Sequence, residues 1–577
     1  MKLKTLKTLG YMALGLTTTV LSGPVLAQER SPQQNNRPNI VLIVVDDMGY
    51  SDMGAFGSEI PTPNLDALTW SGVQLTNFHV APTCSPTRSM LMSGTDNHLA
   101  GLGNMAEEII EEQKGRPGYE GFLNDRVMSF PQALRDAGYH TYMSGKWHLG
   151  SKPGQLPNAR GFEKSIAMLN GGAHHFDQTG MAEKFPKAGY TRDDKPIDLP
   201  SNFTYTTEFF TTELINQIDS GSSDIPFFGY LAYTAPHWPL QAPDDSIALF
   251  KGKYDGGYDV IREARIERMR EMKLFDANVK DNLEPDLWPH WTELDDRQRN
   301  FEARKMEVYA AMIHEVDKNV GRLVNHLKEK GLYDNTVFVF FSDNGAEGSL
   351  PESIMGGKNR EWITKNFDNS LKNLGRKGSY VGYGPSWAAV SQTPFRMVKG
   401  HTYEGGTRSP AFISHVGWQG GRRLEQFVHV TDIAPTLLEI ADAKTPNERN
   451  GVKLAHPTGH SLVSWLSGSA QAARPQNEAV CTELFGRIAV WKNDWKLVHS
   501  NKPWGTGDFE LFNIKVDPSE RENLAADNAT KVTELKSDWA DCQTRYGIYW
   551  NEGLAPQIVY SNEQEYLFPR QHISESK

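Results

Sequence analysis

Two runs limit what this chain can fold into more than any other feature: Asn39-Ile40-Val41-Leu42-Ile43-Val44-Val45 and Thr336-Val337-Phe338-Val339-Phe340-Phe341. Neither alternates with polar residues, so neither suits a sheet with one wet face. Each has to be covered on both sides. The sequence supplies covering helices. Thr62 to Leu68 reads as a capped helix start with Pro63 in its first turn. Ser85 to Ser93, Phe130 to Ala137 ahead of Gly138, and Glu302 to Lys330 ahead of Gly331 read as three more. Tyr139 to Ser144 and Phe227 to Thr234 read as further strands. Strands alternating with helices predict a parallel or mixed α/β sheet over residues 38–469. The tail differs. Ile488 to Trp491 and Trp495 to Val498 flank Lys492-Asn493-Asp494 as a hairpin, and Glu510 to Ile514 reads as another strand. A smaller antiparallel-sheet domain is therefore expected over 470–577. Asp244 to Arg299 and Gly345 to Lys399 are long and poorly periodic, and are expected to be insertions or lids.

Both buried runs end in acidic residues, Asp46-Asp47 and Asp343-Asn344. Each pair alone also reads as a turn or a cap. If the two strands are neighbours, the pairs converge at the carboxyl edge of the sheet, where α/β folds place their sites. Four oxygen donors without His or Cys suit a hard cation, Ca²⁺ with Mg²⁺ as the alternative, rather than Zn²⁺.

The first 27 residues read as a signal peptide. Lys2, Lys4 and Lys7 precede an apolar run, and Ser22-Gly23-Pro24-Val25-Leu26-Ala27 supplies a breaker and small residues for cleavage after Ala27. The expected location is periplasmic or secreted. Cleavage would take the net charge from −11 to −14. An acidic surface argues against nucleic acid or anionic membrane as a partner, and no later segment is apolar enough to span a bilayer.

An exported chain with three cysteines has an odd count. Cys481 with Cys542 is the simplest pairing, and it leaves Cys84 alone. Cys84 could be core filler, half of a disulfide, a metal ligand or a nucleophile. It sits at an expected helix N-terminus, which lowers a thiol pKa and presents N–H groups to an anion. Arg88 lies one turn on, on the same face.

Cys84-x-Pro86-x-Arg88 resembles the signature of the type I sulfatases. The resemblance extends to Asp46-Asp47, Gly145-Lys146-Trp147-His148-Leu149-Gly150, Ala235-Pro236-His237 and Phe341-Ser342-Asp343-Asn344-Gly345. It continues through Lys399-Gly400-x-Thr402-Tyr403-Glu404-Gly405-Gly406-x-Arg408, and the run Ser89 to Met105 is similar to bacterial arylsulfatases. The resemblance implies an alkaline phosphatase-like mixed sheet flanked by helices, and a small C-terminal sheet domain. It implies hydrolysis of a small-molecule sulfate ester, and conversion of Cys84 to formylglycine by modification machinery. The hydrate of that aldehyde carries two hydroxyls on one carbon. One attacks sulfur, and deprotonation of the other lets the carbon collapse and expel sulfate, an exit that a serine lacks.

By position, the resemblance implies that Asp46, Asp47, Asp343, Asn344 and the modified Cys84 hold the cation. Arg88 would fix the hydrate, and Lys146 and Lys399 would bind sulfate oxygens. Asp343 would also accept a proton from the attacking hydroxyl. His237, with Lys399, would protonate the leaving oxygen, and His148 would take the proton that releases sulfate. Some relatives that cleave phosphonate esters carry the cysteine motif, so a phosphonate monoester or phosphodiester hydrolase of the same superfamily is the alternative, with an inactive exported binding protein as a second. His79, His174 and His175 lack motif context and read as core or loop residues. Asp286-Leu287-Trp288-Pro289-His290-Trp291 reads either as an aromatic rim or as ordinary helix packing.

Overall fold

The computed structural model describes residues 37–283, 288–353 and 358–551. The signal peptide, Asp286 and Leu287 lie outside them. Ten strands form one mixed sheet in the spatial order Arg422–Leu424, Val73–Leu75, Ala411–Ser414, Thr336–Ser342, Asn39–Asp46, Phe227–Pro236, His140–Lys146, Lys164–Met168, Tyr190–Arg192, Lys195–Ile197. The two apolar runs are adjacent and parallel at the centre, with Val45 opposite Ser342. Phe227–Pro236 pairs in parallel with both Asn39–Asp46 and His140–Lys146. Lys164–Met168 continues the parallel run beside His140–Lys146, so five parallel strands end at one edge of the sheet.

Side-chain alternation splits each central strand between two cores. Val41, Ile43, Val45, Phe338 and Phe340 face one, and Ile40, Leu42, Val44, Val337, Val339 and Phe341 face the other. The first core is covered by a 34-residue helix, Asp296–Glu329, through Met306, Tyr309, Ala310 and Ile313. It starts before the expected Glu302, because Asp295 and Gln298 form a capping box. The second core is covered by Cys84–Ser93 and Phe130–Asp136, through Met90, Leu91, Ala133 and Leu134. Pro63–Ser71 forms a helix as expected, but Thr62 does not cap it. Its hydroxyl instead donates to Asp66 at 3.0 Å and accepts from the Gly54 amide.

The stretches expected as insertions or lids belong to the body. Ile247, Phe250, Tyr254 and Met269, together with Leu374, Tyr380, Trp387 and Val390, are part of the first core. The helix Gly257–Glu271 lacks an apolar stripe in the sequence because Arg262 and Arg265 occupy buried positions on it. Arg265 is held there by Asp52 at 2.6 Å and Glu59 at 2.8 Å. Trp291 packs on Tyr258 and Trp387, and Trp288 is buried, so these two tryptophans are packing residues.

The C-terminal strands Ala479–Leu484, Arg487–Lys492, Trp495–His499 and Phe509–Asn513 form an antiparallel sheet in sequence order. Ile488, Val490, Leu497 and Leu511 face the helix Ala529–Tyr546, which is stapled to the sheet by the Cys481–Cys542 disulfide. Ala489, Trp491, Val498 and Phe512 face the large core. Buried Glu404 ties this junction together. It accepts from Lys496 at 2.9 Å and from the Trp491 indole at 3.1 Å, and pairs with His79 at 3.0 Å. His79 is thus the core residue expected.

Among the described residues, no helix is long and apolar enough to cross a membrane.

Candidate active site

The parallel strand ends bring together Asp46 and Asp47, Lys146 and His148, His237, and Asp343 and Asn344. Two of these residues sit in left-handed backbone, Asp47 at φ 70° and His148 at φ 54°. Non-glycine residues are strained there, and such strain is kept where it aims a functional side chain. Gly145 precedes Lys146 at φ 129°, and a Cβ there would lie 1.8 Å from the Ala232 carbonyl oxygen. Only glycine lets the strand carry Lys146 to the edge.

Cys84 opens its helix with Thr83 as an extended N-cap. It is free and buried. Its sulfur and the carboxylates of Asp46 and Asp343 supply ligand atoms all within 4.8 Å of one another. Each acidic residue expected as a ligand faces at least one buried cation. Arg88 donates from Nε to Asp343 at 2.8 Å, Lys146 reaches both oxygens of Asp46 at 2.8 and 2.7 Å, and Lys399 reaches Asp47 at 2.7 Å. Arg88 also donates to the Lys146 carbonyl at 3.1 Å and to Tyr230 at 3.3 Å. Lys399 has a second partner, Glu347, at 3.1 Å.

The charges follow from this crowding. Burial, together with the neighbouring Asp343 and Asp47 charges, outweighs Lys146 and pushes the Asp46 carboxyl up to about 7. Burial would raise Asp47 too, but Lys399 and His237 bring it down to about 2. Lys399 is held protonated, because Asp47 and Glu347 overcome the effect of burial. Burial would also raise the Cys84 thiol, but Lys146 and His148 draw it below the ordinary range. For His148, burial is overcome by Glu107 and Cys84, and its pKa rises to about 9.

His148 uses both ring nitrogens. Nδ1 lies 3.4 Å from the Cys84 sulfur, and Nε2 lies 2.9 Å from the Glu107 carboxylate. His237 is held the other way round. Its Nδ1 lies 2.5 Å from the Trp238 carbonyl, which can only accept, so the neutral ring presents a bare Nε2 to Asp47 at 3.3 Å. Burial and Lys399 keep that ring near a pKa of about 4. Serving as an acid requires protonation at both nitrogens. The bare Nε2 also groups with Asp46 and Asp47 as a possible third ligand.

The donor set fits a hard cation. Among the described residues, Asp47 Oδ2 and Asn344 Oδ1 are buried acceptors that receive no hydrogen bond. Unsatisfied buried oxygens are costly unless a cation engages them.

All the expected site residues converge here. Three that sequence reading misses are Glu107, Tyr230 and Glu347. None stands in a motif quoted above. Tyr230 is hidden within a buried strand, Glu107 lies on a single 3-10 turn, Ala106–Glu108, and Glu347 lies in a loop. His174 is packed on Phe367 and Tyr380, while His175 approaches the site only through the His237 carbonyl at 3.1 Å.

The sulfatase family model matches residues 38–443. An arylsulfatase of Klebsiella aerogenes is 40% identical over 456 residues, covering 78% of this chain and 96% of that protein. An uncharacterized sulfatase of Schizosaccharomyces pombe, PB10D8.02c, is 41% identical over 528 residues, covering 89% and 95%. The crystal structure of Ps i-CgsB in complex with k-i-k-neocarrahexaose has a TM-score of 0.63, with 93% of this chain and 98% of that one covered. At 24% identity it speaks to the fold alone. The alkaline phosphatase-like mixed sheet and small C-terminal antiparallel sheet expected from the motifs are both present. The chain belongs to the sulfatase family of sulfuric ester hydrolases.

Proposed function

We propose that the chain is an exported arylsulfatase whose residue 84 acts as formylglycine beside one divalent cation. One observation carries this reading. The single free cysteine is buried at a helix N-terminus, with its sulfur among the carboxylates of Asp46 and Asp343 and its partner nitrogen on His148. The name of the Klebsiella relative supports aryl sulfates as the substrate class. The disulfide and the leader-like first 27 residues support export.

Asp46, Asp47, Asp343 and Asn344, with residue 84, would hold the cation, and Ca²⁺ suits their all-oxygen set. Bound there, the cation supplies Lewis-acid charge to a sulfate oxygen and to the nucleophile. The chain's own groups do the rest. Lys146 and Lys399 each spend two of their three N–H donors on carboxylates, which leaves one apiece for sulfate oxygens as charge builds. Arg88 fixes Asp343, and Asp343 takes the proton from the attacking hydroxyl. His237 in its doubly protonated form, beside Lys399, protonates the leaving oxygen. A bound anionic ester would favour that form. His148 Nδ1 faces residue 84, where the proton that frees sulfate must be removed.

Two measurements test the reading. Peptide mass spectrometry of the Cys84 segment, on active protein from a modification-competent cell, should find mainly formylglycine. An unmodified thiol in fully active enzyme contradicts it. Rates on an aryl sulfate and an aryl phosphate diester, measured side by side, should favour the sulfate. Preference for the diester would reassign the substrate class.

A further inference from the structure

We infer that Glu107 is a positioning residue for sulfate release, holding His148 in the tautomer that accepts a proton from residue 84. The inference rests on the reading of His148 as the base. His148 has left-handed backbone and two engaged nitrogens, with Nε2 on the Glu107 carboxylate at 2.9 Å and Nδ1 on residue 84 at 3.4 Å. A carboxylate can only accept, so Nε2 carries a hydrogen whatever the charge of the ring. Once residue 84 is no longer a thiol, the sulfur charge that helps hold the ring protonated is gone, and the neutral ring turns its Nδ1 lone pair toward residue 84. When the proton at residue 84 moves to Nδ1, the ring becomes cationic with the Glu107 charge already beside it. The proton therefore passes from residue 84 to Nδ1, and Glu107 stays ionised throughout.

The contact is built into the fold. Glu107 sits on a short turn, Ala106–Glu108, that follows Met105, whose thioether lies 3.9 Å from the Cys84 sulfur. Gly171 closes over the pair. A Cβ at that position would lie 3.0 Å from His148 Cε1 and 3.2 Å from Glu107 Oε1, so any side chain there wedges the two apart. The Glu107 side chain is 37% exposed, and its replacement leaves a His148 ring that can go neutral, so no buried charge needs to remain. The fold should therefore tolerate it. Structural support alone does not call for a hydrogen-bond acceptor at this place; orientation of the imidazole does.

The test uses the modified enzyme with 4-nitrophenyl sulfate. In Glu107→Ala, attack on sulfur is untouched and release is slowed. kcat should fall about tenfold to a hundredfold, KM should fall in parallel, and kcat/KM should stay within about twofold. A burst of nitrophenol and a sulfate adduct on residue 84 should appear. Glu107→Gln, which keeps a carbonyl acceptor for Nε2–H, should recover most of the lost kcat. Gly171→Ala should reproduce the Glu107→Ala pattern in milder form. The inference is overturned if Glu107→Ala leaves kcat unchanged, or if kcat/KM falls with kcat and no burst appears. His148→Ala separates the levels. If it slows release while Glu107→Ala does not, only the positioning role is lost. If His148→Ala itself turns over normally, the assignment of the base falls as well.

Discussion

Arg88 places both Nε and Nη2 on one oxygen of Asp343, Oδ2, at 2.8 and 2.7 Å, with both side chains fully buried. The other oxygen faces the Asp47 amide at 3.4 Å. The guanidinium thus holds Asp343, a carboxylate proposed as a cation ligand, through one oxygen and offsets its charge in the same contact. Arg88→Ala strands that carboxylate without its counter-charge. The expected cost is about 3–5 kcal/mol of stability, read by denaturant unfolding, with loss of nearly all activity. Arg88→Lys keeps the charge but not the fork, and should recover stability more than activity.

His98 makes stability depend on alkaline pH. It is buried, and burial alone would lower its pKa, but Asp96 at 3.0 Å and Glu483 at 3.5 Å raise it to about 9. A pKa raised in the folded state gives stability that is complete below the unfolded value, about 6.5, and is lost as pH rises through about 9. The loss across that window should reach about 3 kcal/mol at most. Since Glu483 belongs to the C-terminal sheet, that sheet should loosen first. Unfolding curves at pH 6.5 and 9 for wild type and His98→Gln check this: the variant should lack the decline.

The Cys481–Cys542 bridge closes a separation of 61 residues between the C-terminal sheet and its helix. Removing it with Cys542→Ala should cost about 2–5 kcal/mol. The proposed catalytic cluster lies on other elements, so turnover of the protein that remains folded should stay near wild type. Thermal unfolding and specific activity of the folded fraction together check it.

Removal of the cation is expected to abolish turnover, leaving the fold intact but less stable. Elemental analysis of active, dialysed protein should find about one Ca²⁺ or Mg²⁺ per chain. After chelation, added Ca²⁺ should restore both activity and the melting temperature, the latter rising with its concentration. Stoichiometric zinc with neither hard cation would contradict the ligand assignment.

The central sheet and most of the site are legible in the sequence, because buried parallel strands are written as unbroken apolar runs and their ends carry the chemistry. Asp46-Asp47 and Asp343-Asn344 are found this way, and Cys84 through its helix start. What is not legible depends on partners distant in sequence. Gly257–Glu271 hides its buried face behind Arg262 and Arg265, whose charges Asp281, Glu59 and Asp52 offset there. Glu107 and Glu347 sit on irregular segments, where no periodicity marks which acid turns inward. The pairing of Arg88 with Asp343, Lys146 with Asp46 and Lys399 with Asp47 is a property of packing, and spacing along the chain does not encode it.

Residue 84 carries the central claim, and Cys84→Ser tests it most directly. Serine keeps one hydroxyl in the same place, with Arg88, Lys146, Lys399 and His237 unchanged around it. Attack on sulfur should survive at reduced rate, since an unactivated hydroxyl is a weak nucleophile. Release should fail, because a sulfated serine offers His148 no second hydroxyl proton. The measurement is nitrophenol released per enzyme from 4-nitrophenyl sulfate, followed to its plateau, with mass spectrometry of residue 84. The expected result is at most about one equivalent and a sulfate adduct on Ser at that position. Repeated turnover near the wild-type rate, in protein verified to carry unmodified serine, would show that the aldehyde is not needed for release.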